Sequence, residues 1–197
     1  MSNPYDIVKQ FEADLCEYTG ARYAVTTTSC TMALLLACAC HQVEEVTLPS
    51  HTYVGVPMSV LNAGGRVKFE KYQWRGAYDL EPYPIVDSAR RFTKDMFNHD
   101  LAPFMTCVSF HWTKILGLGQ GGAILHNDPA ADAWLRRARF DGRTEGSDEP
   151  PTHRGWHAYM SPETAAHGIV KLSLLPRENA DLPNDDYPDL SKMEIFK

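Results

Sequence analysis

Short apolar strands alternating with helical segments constrain this sequence more than any other feature. "RYAVTTT" precedes the helical run "SCTMALLLACACH", and "EEVTLP" precedes "HTYVGVPMSVLNAGG". "RVKFE", "PIVDS", "FMTCVSF" and "GGAILHN" read as further strands. Alternation at this spacing predicts an α/β domain with a mostly parallel sheet flanked by helices. Asn3 to Thr19 carries apolar residues at a helical period, and Gly20 is placed to end that helix. "DPAADAWLRRARF" opens on a cap and first-turn pair, Asp128 and Pro129. "SPETAAHGIVKLSLL" opens in the same way on Ser161, Pro162 and Glu163. Residues 1–175 are therefore expected to form one domain, and the proline-rich, acidic stretch 176–197 a loose tail.

The 197 residues are enough for a well-buried core. A net charge of −6 without a basic block argues against nucleic acid or an anionic membrane as a partner. No apolar run reaches the roughly 18 residues of a membrane span. The opening "MSNPYDIVKQFEADLCEYTG" carries acids and lacks the pattern of a signal peptide. The five cysteines form no Cys-x-x-Cys pair, so neither a metal site nor a disulfide framework is expected. That usage fits a reducing, cytoplasmic compartment.

Three places on this frame suit ligand chemistry, and each has a plainer reading. Ser29, Cys30 and Thr31 lie between a strand and a helix, where free N–H groups bind phosphate. The same residues also make an ordinary helix cap. Asp87 ends the strand of "PIVDS", at the carboxyl edge where open α/β sheets take ligands. It can pair with a cationic ring nitrogen or simply cap the next segment. Lys114 stands between a strand and the glycines at 117, 119, 121 and 122. It is either a solvated surface lysine or a Schiff-base lysine in a partly desolvated pocket.

In their order, these segments resemble the fold-type I pyridoxal 5′-phosphate (PLP) enzymes, specifically the nucleotide-sugar aminotransferases of the DegT/StrS type. "FEADLCEYTGARYAVTTTSCTMALLLA" is similar to that family's opening helix, strand and phosphate turn. "LPSHTYVGVPMSVLNAGG" resembles its Pro-x-x-Thr-aromatic segment, and "IVDSARRF" its Glu-Asp-Ala-Ala-Gln strand end. "SFHWTKILGLGQGGAI" resembles its Ser-Phe-x-x-x-Lys and Gly-x-Gly-Gly pattern, and "GWHAYMSPETAAHGIVKL" its Gly-Tyr-Asn-Tyr-Arg-Met-Ser helix start. The likeness runs from about Asn3 to Leu175.

The resemblance implies a PLP cofactor tethered to Lys114, which would also carry protons between carbon atoms. It implies that Asp87 pairs with the pyridine nitrogen and that Tyr53 stacks on the ring. Cys30, Thr31 and Ser109 match phosphate contacts. Cys30 replaces a glycine, and Arg90 stands where the family has Gln or His near the ring hydroxyl. His157 replaces an asparagine that reaches the partner subunit's phosphate, and Tyr159 replaces an arginine. A homodimer is implied, moving an amino group from a donor such as glutamate to a keto-sugar that is nucleotide-linked as the family's substrates are. The segment between Glu70 and Asp87 is shorter than the family's, and its C-terminal small domain has no counterpart, so the resemblance is to a shortened form. A simpler PLP reaction on an amino acid, or a non-catalytic scaffold pairing with a full-length homologue, are the alternatives.

Overall fold

The computed structural model describes residues 3–97, 104–184 and 187–196. Its centre is helix α2 (Cys30–Cys40), apolar on every side and buried at Ala33, Leu34, Leu35, Leu36, Ala37 and Cys38. A helix of that composition is stable only when surrounded. It packs on strands β6 (Met105–Ser109) and β7 (Gly122–His126), and on helices α3 (Gly55–Asn62) and α4 (Pro129–Ala138). Helices α1 (Asp6–Thr19) and α5 (Pro162–Ser173) pair with each other, and their side chains share a second core with the same strands. Ile124 of β7 joins the α2 core, whereas Ala123 and Leu125 join the α1/α5 core. The arrangement is a sheet between two helical layers.

The main sheet corrects the expected strand polarity. Its order is β1 (Tyr23–Thr27), β7, β6, β5 (Ile85–Asp87), β4 (Tyr78–Asp79), and only the β5–β6 pair is parallel. The sheet is thus mostly antiparallel. Parallel neighbours need a crossover, usually a helix, but the links from β4 to β5 and from β6 to β7 contain none. Helix–strand alternation does yield one parallel pair elsewhere, β2 (Glu45–Pro49) with β3 (Arg66–Glu70), in a separate two-stranded sheet. Every residue of β6 and β7 is buried. Apart from Thr106, Ser109 and His126, both strands therefore carry the apolar residues usual for buried parallel strands.

A charged cluster ties α1, β1 and α4 together. Glu12 accepts hydrogen bonds from the N–H and hydroxyl of Thr26, at 2.9 and 2.8 Å, and from Arg136 at 2.6 Å. Arg139 donates to the same carboxylate and, at 2.8 Å, to the Thr26 carbonyl. Arg136 also pairs with Asp132 at 2.8 Å.

The C-terminal stretch, expected to be loose, packs back over the strand ends. Leu190 is fully buried and its N–H donates to the Ser50 carbonyl at 2.8 Å. Leu182 N–H donates to the Arg90 carbonyl at 2.9 Å, and Asp181 takes both prongs of Arg91 at 2.9 and 2.7 Å. These long-range partners satisfy backbone groups that the segment's own sequence leaves unpaired. Among the described residues, no helix is long and apolar enough to cross a membrane.

Candidate active site

The carboxyl ends of β5 and β6, the start of α2 and the loop 110–121 enclose a cleft of about 410 Å³. That volume lies within the roughly 300–1,000 Å³ of small-ligand pockets. Seven of the eight site residues expected from sequence line it: Cys30, Thr31, Tyr53, Asp87, Arg90, Ser109 and Lys114. His157 does not. It is exposed beside Phe140 and Tyr159, with Nδ1 3.3 Å from Asp141 Oδ2.

One end of the cleft is built to meet an anion. The Ser29 hydroxyl caps α2 by accepting from Met32 N at 3.2 Å. The first-turn N–H groups of Cys30 and Thr31 are beyond the reach of helical carbonyls and sit at the positive end of the helix dipole. Gly122 makes this approach possible, because it pairs with both Thr27 and Ser109. A Cβ there would fall 2.5 Å from Cys30 N and 2.8 Å from the Val108 carbonyl. Gly122→Ala is expected to displace the first turn of α2, at about 1–3 kcal/mol of stability. Thermal melting with and without inorganic phosphate checks this; unchanged melting would mean the turn yields freely.

At the other end lies Asp87, buried on a three-residue strand held by neighbours on both sides. Its Oδ1 accepts from Ala89 N at 3.0 Å and its Oδ2 from the Tyr78 hydroxyl at 2.9 Å. The Thr52 and Tyr78 hydroxyls are 2.7 Å apart. Since the single phenolic proton of Tyr78 goes to Asp87, Thr52 is the donor in that pair. Burial pushes the Asp87 carboxyl above its ordinary range, and the two hydrogen bonds, Lys114 and Arg90 only partly oppose it. Burial and the adjacent Asp87 raise the Tyr78 phenol well above its usual value, so it stays a donor.

Lys114 sits on a closed lobe. Phe110 N–H donates to the Gly121 carbonyl, Leu118 N–H to the Phe110 carbonyl, and Lys114 N–H to the His111 carbonyl. Phe110, Leu116 and Leu118 anchor the lobe in the α1/α5 core. Burial lowers the Lys114 amine, Arg90 lowers it further, and Asp87 and Cys30 oppose the shift. Burial and Asp87 hold the Cys30 thiol protonated, well above its ordinary range. The cleft therefore offers an amine eased toward its neutral form, a buried acid and an anion cradle. That set suits a ligand with a carbonyl, a cationic ring nitrogen and an anionic group.

Sequence reasoning missed Thr52, Trp74, Tyr78 and Tyr187, all contributors to the cleft or to its acid. Tyr78 lies on a strand of two residues, too short for any periodic signal. Tyr187 lies in the stretch read as loose, and Trp74 in the loop before β4.

The sequence profile of the DegT/DnrJ/EryC1/StrS aminotransferase family matches residues 1–72 and 86–182. The gap between the two stretches falls on the short segment that carries β4. A search of curated proteins gives no significant match. Among solved structures, a DegT/DnrJ/EryC1/StrS aminotransferase from Brucella abortus superposes with a TM-score of 0.72 at 21% identity, covering 85% of this chain and 58% of that one. NtdA from Bacillus subtilis, with bound PMP, gives 0.70 at 20% identity over 89% of this chain and 49% of its own. DesI, in the presence of its TDP-sugar product, gives 0.67 at 22% identity over 89% and 54%. The chain thus spans between 49% and 58% of the first two of these structures.

Proposed function

Because the chain belongs to the DegT/DnrJ/EryC1/StrS aminotransferase family, we propose that it binds PLP and moves an amino group from an amino acid such as glutamate to a nucleotide-linked keto-sugar. The observation that carries this reading is a buried acid, Asp87, and a half-buried amine, Lys114, lining one cleft that ends in an anion cradle. The fit to PLP rests on Asp87. No ion pair engages this buried carboxylate among the described residues, and its raised pKa marks a place where a cation would be welcome.

Bound there, PLP supplies an aldehyde that amines can condense with and a ring that draws electrons from the attached carbon. The remaining chemistry belongs to the chain. Lys114 offers the tethering amine and moves a proton at the substrate carbon, for which a neutral amine near pH 7 is required. Asp87 holds a proton at the ring nitrogen, and the Thr52–Tyr78 pair fixes the carboxylate's orientation. Tyr53, 55% exposed at the rim, covers the ring face. Cys30, Thr31 and Ser109 hold the phosphate. Exposed Tyr53, Val54 and Trp112 near the cleft mouth support a homodimer whose second subunit covers it. In that assembly His157 would face the neighbour. The reading places the protein in the cytoplasm.

The test is spectroscopic. Purified protein with PLP is expected to show a visible band, to lose it on adding glutamate, and to carry a phosphopyridoxyl mass on Lys114 after borohydride reduction. A band with no mass on Lys114 would sink the assignment. In the same assay Asp87→Asn should lower the rate by at least about 10²-fold, the scale of a lost preorganised charge. Its apo-protein should melt higher. The raised pKa means that Asp87 costs stability as pH rises from its ordinary value through its folded one, so the gain should be absent in acid and present at neutral pH. Equal melting at both pH values would contradict this.

A further inference from the structure

The lobe that carries Lys114 also carries a histidine that the chemistry above leaves idle. His111 and Lys114 are the first and last residues of a tight turn, closed by Lys114 N–H donating to the His111 carbonyl at 2.8 Å. The ends of such a turn lie within about 7 Å of each other at Cα, and both residues line the cleft. The His111 backbone is held in place. It is bridged to Gly119, its N–H donates to Ser109 Oγ at 3.4 Å, and Trp112 N–H donates to the Gly119 carbonyl at 3.2 Å. The ring is oriented from one side only. Thr113 N–H donates to Nδ1 at 3.4 Å, and the Thr113 hydroxyl lies 3.0 Å from the same atom. A backbone N–H can only donate, so Nδ1 is the accepting nitrogen of the neutral ring and Nε2 carries the hydrogen. Among the described residues no hydrogen bond engages Nε2. His111 thus brings to the cleft an exposed ring with one oriented, unused N–H.

We propose, on the footing of the function proposed above, that His111 is a further catalytic residue: its Nε2–H binds the carbonyl oxygen of the keto substrate and stabilises the negative charge that gathers there. In amine transfer to a ketone, nitrogen bonds to the carbonyl carbon as the C=O π pair moves onto oxygen. That oxygen then takes up two protons, supplied in net terms by the amine nitrogen, and leaves as water. The reverse steps bring the oxygen in when the amino donor departs as its keto acid. Lys114 serves the proton on carbon, so a donor for the oxygen is a separate requirement. A neutral imidazole meets it, because it stabilises an oxygen without giving up its own proton. The hydroxyls of Tyr78 and Thr52 are already engaged, with Asp87 and Tyr78 respectively.

Wild type, His111→Phe and His111→Gln test this, each loaded with PLP and given glutamate. Proton NMR in deuterated buffer reads the exchange of the glutamate α-hydrogen, the step at carbon, and the formation of the keto acid, the step at oxygen. His111→Phe keeps a ring and loses the donor. It is expected to form the keto acid about 10²-fold more slowly, the scale of one lost oxyanion donor, while exchanging the α-hydrogen at the wild-type rate. His111→Gln keeps an amide donor and should recover about tenfold of that loss, the worth of one hydrogen bond. Exchange and keto-acid formation falling together in His111→Phe would overturn the proposal, because a distorted lobe slows both. So would keto-acid formation at wild-type speed. A second readout needs no cofactor. Nitrogen-15 NMR of apo-protein at about pH 8, where histidine is ordinarily neutral, should show the His111 proton on Nε2, with His111→Phe identifying its signals; a proton on Nδ1 would equally defeat the proposal. If wild type exchanges no α-hydrogen, the proposed function fails and takes this role with it. If exchange proceeds without the split between the two steps, only the role of His111 fails.

Discussion

Lys114→Ala is expected to fold, to show no lysine-dependent visible band, and to transfer amino groups slower by roughly 10²–10⁴-fold, the share a positioned proton carrier supplies. The loss should be chemical and not conformational. The Lys114 amine is held below its ordinary value of 10.5, first by burial and then by Arg90. A lowered lysine pKa means that the unfolded chain binds more protons, so this group's cost to stability is relieved as pH rises toward 10.5. The variant should therefore melt no lower than wild type at neutral pH, and any advantage should shrink in alkali. Single-turnover spectra and melting curves over pH separate the two effects. Small primary amines should restore part of the rate, since removing the side chain opens room in the cleft. Unchanged transfer by Lys114→Ala would end the catalytic assignment.

Glu12→Ala should produce the largest loss of stability. Glu12 is 4% exposed and Arg139 3% exposed. Removing the acid strands a buried guanidinium, which costs about 3–5 kcal/mol. For a chain of this size that corresponds to a melting temperature lower by roughly 6–20 °C. The exposed pair Lys9–Asp6 is the control, where Asp6→Ala should change melting hardly at all. Burial raises the Glu12 pKa, but Arg139 and Arg136 overcome it and hold the carboxyl below its ordinary 4.5. The stability it adds is thus present above 4.5 and is lost as pH falls through the lowered folded value. Wild type should show this acid limb, and Glu12→Ala should lack it. A melting shift no larger than the control's would mean that Arg139 finds another acceptor.

Local signals in the sequence identified what local chemistry determines. Asp128 with Pro129, and Ser161 with Pro162, open α4 and α5 where expected, because caps act within one turn. Asp87 and Lys114 could be picked out because one ends an apolar strand and the other follows one, whereas Ser109 was marked only by the family resemblance. Strand direction was hidden because β6 and β7, buried on both faces, carry the same residues whichever way their neighbours run. Tyr78 and Tyr187 acquire their roles from partners 9 and 97 residues away in sequence, Asp87 and Arg90. No window of local pattern contains such a pairing. Glu12 lies on the buried side of the amphipathic helix α1, and nothing in its local sequence marks its role. Its guanidinium partners came 124 and 127 residues later.

The division of strands between two sheets also decides where this chain can vary without losing its chemistry. β7 has a bonded strand on each edge and a helical layer against each face, so any side chain there is judged by several neighbours at once. β3 has no buried residue, and the loop after it brings Trp74 to the cleft wall. Drift in that loop would reshape what the cleft admits while the amine and the acid stay fixed on the larger sheet. Inheritance of the reaction and divergence of its substrates would then fall on different parts of one small chain.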